Sequence, residues 1–489
     1  MRGRGTSRAQ SAWTHGLLTA SLCSMLLGAL AGCTSFRARP IDVGRRLDAL
    51  EARRLDDPGL RRYMERALHR SPSPWPPRSW SFEELTVAAD YFHADLAVAW
   101  AKLDAARAAV LTAGARPNPT LALSPSYDIS AEPGISPWTL GFTLDIPIET
   151  AGKRGYRIAE AQHLANAARL GVAATAWKIR SHVRSSLIEW QAAERSEEIL
   201  RRALTAGRQA VDLLEARFAS GEASAREVQL VRIAADKAAL QWRDGQKRVS
   251  QARLAASAAV GVPEGALDGI ELSFTALDAL PSLADAAPSR REALLNRSDV
   301  LGALADYDAT ESALQLEIAR QYPDVHLGPG FSHGFVASEL ENELSFGISL
   351  TLPVLNLNRG PIAEAEAHRE EAAARFNAVQ ARAIAQVDEA SISYRDALAK
   401  LDTADRLLGE QRERMRSVQG LFDAGQADRL TLVQAQGELA ADELARTQAL
   451  TEAQLALGAL EDAMQRSAGS SRTDGLPARD EPPTPETHP

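Results

Sequence analysis

Phe218-Ala219-Ser220-Gly221-Glu222-Ala223-Ser224 and Phe422-Asp423-Ala424-Gly425-Gln426-Ala427-Asp428 are one heptapeptide written twice, 204 residues apart. The same offset relates Ile158-Ala159-Glu160-Ala161 to Ile362-Ala363-Glu364-Ala365 and Ala115-Arg116-Pro117-Asn118-Pro119 to Ala319-Arg320-Gln321-Tyr322-Pro323. Three matches at one offset make the chain a two-fold repeat, with a segment near 90–260 recurring near 294–465. Function is then expected in what two copies build together. In each heptapeptide a glycine can take the left-handed conformation that ends one helix and reverses the chain. Ser224 and Asp428 follow as N-caps of a returning helix.

Each repeat leads into its heptapeptide through a long proline-free run. No proline lies between Pro147 and Pro263 or between Pro361 and Pro477, and both runs are rich in Ala, Leu, Glu, Arg and Gln, strong helix formers. An apolar residue returns every seven positions at Val387, Tyr394, Leu401, Leu408, Met415 and Phe422, with Ala390, Ala397, Ala404, Gln411 and Val418 three residues on. Val183, Trp190, Glu197, Leu204, Val211 and Phe218 repeat the pattern, with Ser186, Ala193, Leu200, Gly207 and Leu214 beside them. This is a coiled-coil seam with one small side. Helices of about 60 residues reach roughly 90 Å at about 1.5 Å per residue, more than a compact globule uses. By itself the seam fits a coiled-coil spacer equally well.

At their other ends the helices lead to strands. Leu121, Leu123, Pro125, Tyr127 and Ile129 alternate with small or polar residues, as do Trp138, Leu140, Phe142, Leu144 and Ile146. The second repeat offers Val325, Leu327, Pro329 and Phe331, then Leu344, Phe346, Ile348, Leu350 and Leu352. Turns are expected at Ala131-Glu132-Pro133-Gly134 and Val336-Ala337-Ser338-Glu339. Period-two alternation over about ten residues suits a transmembrane β-strand or a soluble hairpin. Four strands cannot close a barrel, because an open edge cannot sit in lipid. If these strands span a membrane, copies of the chain must pool them, eight from a dimer or twelve from a trimer.

The N-terminus reads as an export address. Arg2, Arg4 and Arg8 precede a mostly apolar run from Leu17 to Ala31. Leu30-Ala31-Gly32-Cys33 resembles the bacterial lipobox, which implies that Cys33 is acylated and becomes the first mature residue; Thr34, where an Asp would favour inner-membrane retention, points to the outer membrane. The other cysteine, Cys23, falls in the removed segment, so no disulfide is expected. Loss of three arginines takes the formal charge from −9 to −12, which argues against nucleic acid as a partner. After Cys33 no run of 18 apolar residues offers a spanning helix.

Taken in order, these features resemble the TolC-like outer-membrane factors. Asn118-Pro119-Thr120-Leu121 opens the first strand, Arg297-Ser298-Asp299-Val300 begins the helix before the second strand pair, and Phe422 to Asp428 with Leu432 resembles the family's periplasmic tip. The resemblance covers about residues 80–465. It implies a mainly α fold with a small β part: a coiled-coil α-barrel of long helices joined to a transmembrane β-barrel, four strands per chain and twelve in the homotrimer. It implies a passive exit duct that docks on a periplasmic adaptor and an inner-membrane RND-type pump, with outer-membrane lipid around its strands. Phe218, Gly221, Ser224, Phe422, Gly425 and Asp428 fall on the partner-binding tip. The family often carries an acid six residues after the tip glycine. Glu227 meets this as a gate residue and Thr431 does not, so the second repeat supplies no acid there. Glu149-Thr150-Ala151-Gly152-Lys153-Arg154 resembles the heavy-metal, CzcC-like branch, which implies metal cations as cargo; drugs, other small solutes and type I secretion substrates stay open.

The chain parses as a signal peptide (1–32), a lipidated linker (33–80) ending in the proline cluster Ser71 to Pro77, a first repeat (81–285, strand pair 119–148), a second repeat (286–465, strand pair 324–353) and a disordered tail (466–489). No cofactor, resident metal or catalytic cluster is expected. His326 and His333 stand seven apart, zinc-site spacings are missing, and no phosphate loop or nucleophile arrangement occurs. Asp and Glu lining a lumen would favour cations, though ordinary surface charge is the readier account of them. The rival of another class is a periplasmic adaptor or structural coiled coil, which would place its strands in soluble β domains.

Overall fold

The computed structural model describes residues 34–466 apart from 71, 133, 287–289 and 337–338. The expected signal peptide, Cys33, the tail from 467 onward and the centres of both strand turns therefore lie outside the described residues. The chain divides into two units, 1–52 and 53–489. The first contains α1 (Val43–Glu51), capped by the Asp42 carboxylate, which accepts the Arg45 amide at 3.1 Å.

The second unit begins with α2 (Pro58–Leu68), capped by Asp57 with proline in its first turn. Part of the span read as a linker, 33–80, is therefore a folded helix. The polar composition and terminal prolines mask Leu60, Tyr63 and Met64, which sit three and four apart and so share one helix face. All three are buried in the main core, together with Trp80 and Phe82.

The repeat is visible in the element order. The first copy runs β1 (Ser79–Ser81), α3 (Phe82–Phe92), α4 (Ala94–Ala113), β2 (Thr120–Tyr127), β3 (Trp138–Ile148), α5 (Lys153–Ala219) and α6 (Ala225–Val260). A short link follows: a 3-10 turn (Glu264–Leu267), β4 (Glu271–Ser273), α7 (Thr275–Asp278), α8 (Leu283–Ala286) and α9 (Arg290–Asn296). The second copy runs α10 (Ser298–Ala319), β5 (Val325–Val336), β6 (Glu339–Leu350), α11 (Arg359–Asp423) and α12 (Arg429–Met464). At 67 and 65 residues, α5 and α11 reach roughly 100 Å at about 1.5 Å per residue.

The heptad seams hold the hairpins together. Val387, Tyr394, Leu401 and Leu408 are buried, with Ala390, Ala397 and Gln411 beside them, as are Val183, Trp190, Leu200 and Leu204 in the first copy. Glu197, the polar seam member, accepts the Trp242 indole N–H at 2.5 Å. Small seam residues let helices approach: a side chain at Gly207 would sit 3.6 Å from Ala235. Polar groups then tie the two copies. Arg184 pairs with Glu461 deep in the helical body, and Tyr394 donates its hydroxyl to the Pro281 carbonyl at 2.6 Å. Burial pushes the Tyr394 hydroxyl up to about 12, so it stays a donor.

Each copy also closes its helix ends in its own way. Arg297 forks onto Asp299 at 2.9 and 2.7 Å and donates to the Ala463 carbonyl at the end of α12, while Ser298 binds the Gln465 carboxamide. In the first copy Arg53 replaces Arg297, donating to Phe92 O at 2.8 Å and Gly261 O at 2.7 Å. Gly261 has φ +83, and an added Cβ would lie 3.2 Å from Phe92 backbone, so only glycine fits.

Candidate functional site

The four strands β2-β3-β5-β6 form one antiparallel sheet. Its register separates two faces. One carries Leu121, Leu123, Phe142, Leu144, Ile146, Phe331, Leu344, Phe346 and Ile348. The other carries Thr120, Ser124, Thr143, Asp145, His326, Gly330, Ser345 and Ser349, with Glu341 and Glu343 toward the β5–β6 turn.

The apolar face is uncovered in the chain: Leu344 is 82% exposed, Leu123 74% and Phe346 67%. The opposite face is crowded. A Cβ at Gly141 would lie 2.8 Å from Ser124 Oγ, and one at Gly330 would lie 2.7 Å from Ser345 Oγ. The sheet thus has one polar face rich in small residues and one apolar face. Both edges, β2 and β6, lack a strand partner among the described residues. Among those residues, no helix is long and apolar enough to cross a membrane.

Where strands meet helices, a polar joint links the copies. Lys153 is 7% exposed; its Nζ donates to Asp324 Oδ1 and to the Tyr322 carbonyl, both at 2.7 Å. Thr150 donates its amide to Asp324 at 2.9 Å and its hydroxyl to the Pro323 carbonyl at 2.6 Å. The Arg157 guanidinium forks onto Glu149, with Nη2 to Oε2 at 2.9 Å. Burial pushes the Asp324 carboxyl up, but the Lys153 and Thr150 donors outweigh it and hold it below the usual range. Arg157 likewise holds Glu149 down. The motif Glu149 to Arg154 is legible in the sequence, but the partners of its Thr150 and Lys153 lie 169 to 174 residues away and are not.

The helical tips carry the other candidate residues. Gly221 and Gly425 have φ +80 and +72 with open space around them. Ser224 caps α6 in a capping box: its hydroxyl accepts the Glu227 amide at 3.2 Å, and the Glu227 carboxylate accepts the Ser224 amide at 2.7 Å. That backbone bond, then the Ser224 hydroxyl, lowers the Glu227 pKa, so the residue expected as a gate acid also holds a helix end. Asp428 caps α12 and accepts both the amide and the hydroxyl of Thr431. The two tips lie side by side, since Leu430 and Val433 pack on Ala210, Leu214, Val228 and Val231. They differ in their aromatics. Phe218 is 50% exposed, whereas the Arg429 guanidinium covers the Phe422 ring at 5.4 Å. Arg429 escaped the sequence reading because its repeat counterpart is Ala225. Cys33, the expected lipidation site, lies outside the described residues.

Among the described residues, no three His, Cys, Asp or Glu side chains converge as metal ligands. The geometry is that of a wall and a stalk. Comparison with known proteins agrees. The family model for outer membrane efflux proteins matches residues 92–262 and 290–465. The cobalt-zinc-cadmium resistance protein CzcC of Cupriavidus metallidurans is 26% identical over 267 residues, 54% of this chain; the match spans 61% of that protein's length. The outer-membrane channel OprN superposes with a TM-score of 0.65 at 20% identity, over 78% of this chain and 89% of its own. CusC, described for transmembrane channel formation, gives 0.63 at 18% identity, over 80% of this chain and 95% of its own. The chain belongs to the outer membrane efflux protein family.

Proposed function

We propose that this chain is the exit duct of a tripartite heavy-metal efflux system, anchored by an acylated Cys33 and working as a homotrimer. The observation that carries the reading is a four-stranded sheet with two unpartnered edges and an uncovered apolar face. Lipid satisfies the face, and only other strands satisfy the edges. The strands alternate in direction and are even in number, so β6 of one copy meets β2 of the next antiparallel, and three copies close a twelve-stranded barrel. The paired long helices continue that barrel into the periplasm. The side-by-side tips, with Phe218, Gly221, Ser224, Phe422, Gly425 and Asp428, meet a periplasmic adaptor and through it an RND-type pump; Glu227 stands at the gate. A periplasmic adaptor would have no use for an exposed apolar sheet face. Heavy metal is favoured as cargo by the similarity to a cobalt-zinc-cadmium resistance protein.

The test is a deletion strain grown against Co2+, Zn2+, Cd2+ and a panel of drugs, complemented with wild type, Gly221→Glu plus Gly425→Glu, and Cys33→Ser. Wild type should restore metal tolerance alone. The double tip variant should form trimers yet fail to restore it, and Cys33→Ser should lose the acyl mass. Restoration of drug but not metal tolerance would overturn the cargo; full export by the tip variant would remove the tips from docking; an unchanged mass would end the anchor.

A further inference from the structure

One pair on the polar sheet face is used by neither the joint nor the tips. His326 lies at the end of β5 where strands meet helices, and its Nδ1 is 3.1 Å from both carboxylate oxygens of Asp145 on β3. The register puts Asp145 opposite Thr120 and His326 between Pro147 and Ser349, all on the polar face. Both side chains remain open, 35% exposed for His326 and 47% for Asp145. A carboxylate that accepts from Nδ1–H fixes the ring tautomer and leaves the lone pair on Nε2. Nε2 makes no hydrogen bond to the described chain.

An imidazole so oriented, presenting Nε2, suits Co2+, Ni2+, Cu2+ and Zn2+, and discriminates against hard cations such as Ca2+ and Mg2+. The pair bridges β3 and β5, so a plain cross-strand clamp is the alternative. The repeat argues against a clamp that closure requires. Asp145 and His326 answer, at the offset of 204, to Ser349 and Ala122. Those two residues stand on the edge strands β6 and β2 and carry neither charge nor ring, so in the proposed barrel the seam between copies would close without the pair.

We infer that His326, positioned by Asp145, is a weak binding site for divalent transition-metal cations on the inner wall at the base of the barrel. The inference rests on the exit-duct reading for the side of the sheet that faces the lumen. One imidazole per protomer, with water filling the remaining positions, exchanges its cation quickly; a conduit needs sites weak enough to leave.

The experiment titrates Cu2+ alone into the purified full-length trimer in detergent and follows nitrogen coupling by electron paramagnetic resonance. His326→Gln should lose one nitrogen-ligated Cu2+ per protomer. Asp145→Asn keeps the imidazole and should retain the stoichiometry with affinity lowered about tenfold or more. Added Ca2+ should displace none of it. Unchanged Cu2+ stoichiometry in His326→Gln, with a loss only of trimer heat resistance, would mark a cross-strand clamp only and overturn the site. Should His326→Gln fail to assemble, unaltered affinity in Asp145→Asn would overturn the positioning. The metal-tolerance panel keeps the two readings apart: no Cu2+ at His326 with tolerance intact sinks the site alone, whereas Cu2+ bound at His326 with no tolerance phenotype sinks metal export alone.

Discussion

Glu149 shows how one side chain sets a condition on the whole joint. Its carboxylate is 17% exposed and gripped by both arms of Arg157. That charge-assisted fork holds its pKa below the ordinary glutamate value. A depressed folded pKa contributes stability that is fully present above the unfolded value, about 4.3. It is lost as pH falls through the folded value. Asp324, held down by Lys153 and Thr150, adds a component of the same sign. The temperature at which detergent-solubilised trimer falls apart should therefore drop as the solution is acidified through that window. Glu149→Gln keeps the shape and loses the charge, and should cost about 1.5–3 kcal/mol at neutral pH. Its dissociation temperature should start lower and respond less to acid. A variant with the wild-type acid response would show that the fork contributes nothing to the joint.

Between elements, α5 and α12 are tied by the buried ion pair of Arg184 with Glu461, 7% and 5% exposed. Removing one partner of a buried pair costs about 3–5 kcal/mol, because a lone charge is left in the core. Arg180 stands 3.6 Å from the same carboxylate and takes up part of that burden. Arg184→Met should thus fall near the low end, about 3 kcal/mol, read as faster amide hydrogen exchange along α12 while the α6 tip is unaffected. Equal protection in variant and wild type would mean that α5 and α12 are held by packing alone. This tie was not legible in the sequence, and the reason is separation. Ser224 and Glu227 are three residues apart, so the capping box could be read directly, and a heptad seam is likewise a local period. Arg184 and Glu461 are 277 residues apart, and Lys153 and Asp324 171. Only the folded repeat brings them together. Residues 58–68 are illegible for a different reason: α2 has too few apolar residues to announce a core face, and its Leu60, Tyr63 and Met64 are buried because α3 packs on it and they join the main core.

At the scale of the molecule, the strand faces decide where it lives. The strands' alternation was readable, but alternation alone does not say which solvent each face meets. The exposure of the apolar face does, since Leu344, Leu123 and Phe346 find no cover within the chain. Phe142 lies on that face, its ring centroid 5.8 Å from that of Phe331 on the neighbouring strand. An arginine there must carry its charge into hydrocarbon, at about 2–4 kcal/mol near mid-membrane. In the proposed trimer three copies would impose it three times in one barrel. Phe142→Arg should therefore leave little heat-resistant trimer in outer-membrane fractions. Glu343 lies on the polar face, exposed and opposite Ser332. Glu343→Arg reverses a charge there without touching lipid, and should insert as the wild type does. The pair of variants separates membrane insertion from a general intolerance of arginine in the sheet. If Phe142→Arg inserts as well as Glu343→Arg, the apolar face does not meet lipid, and the sheet belongs to a soluble domain.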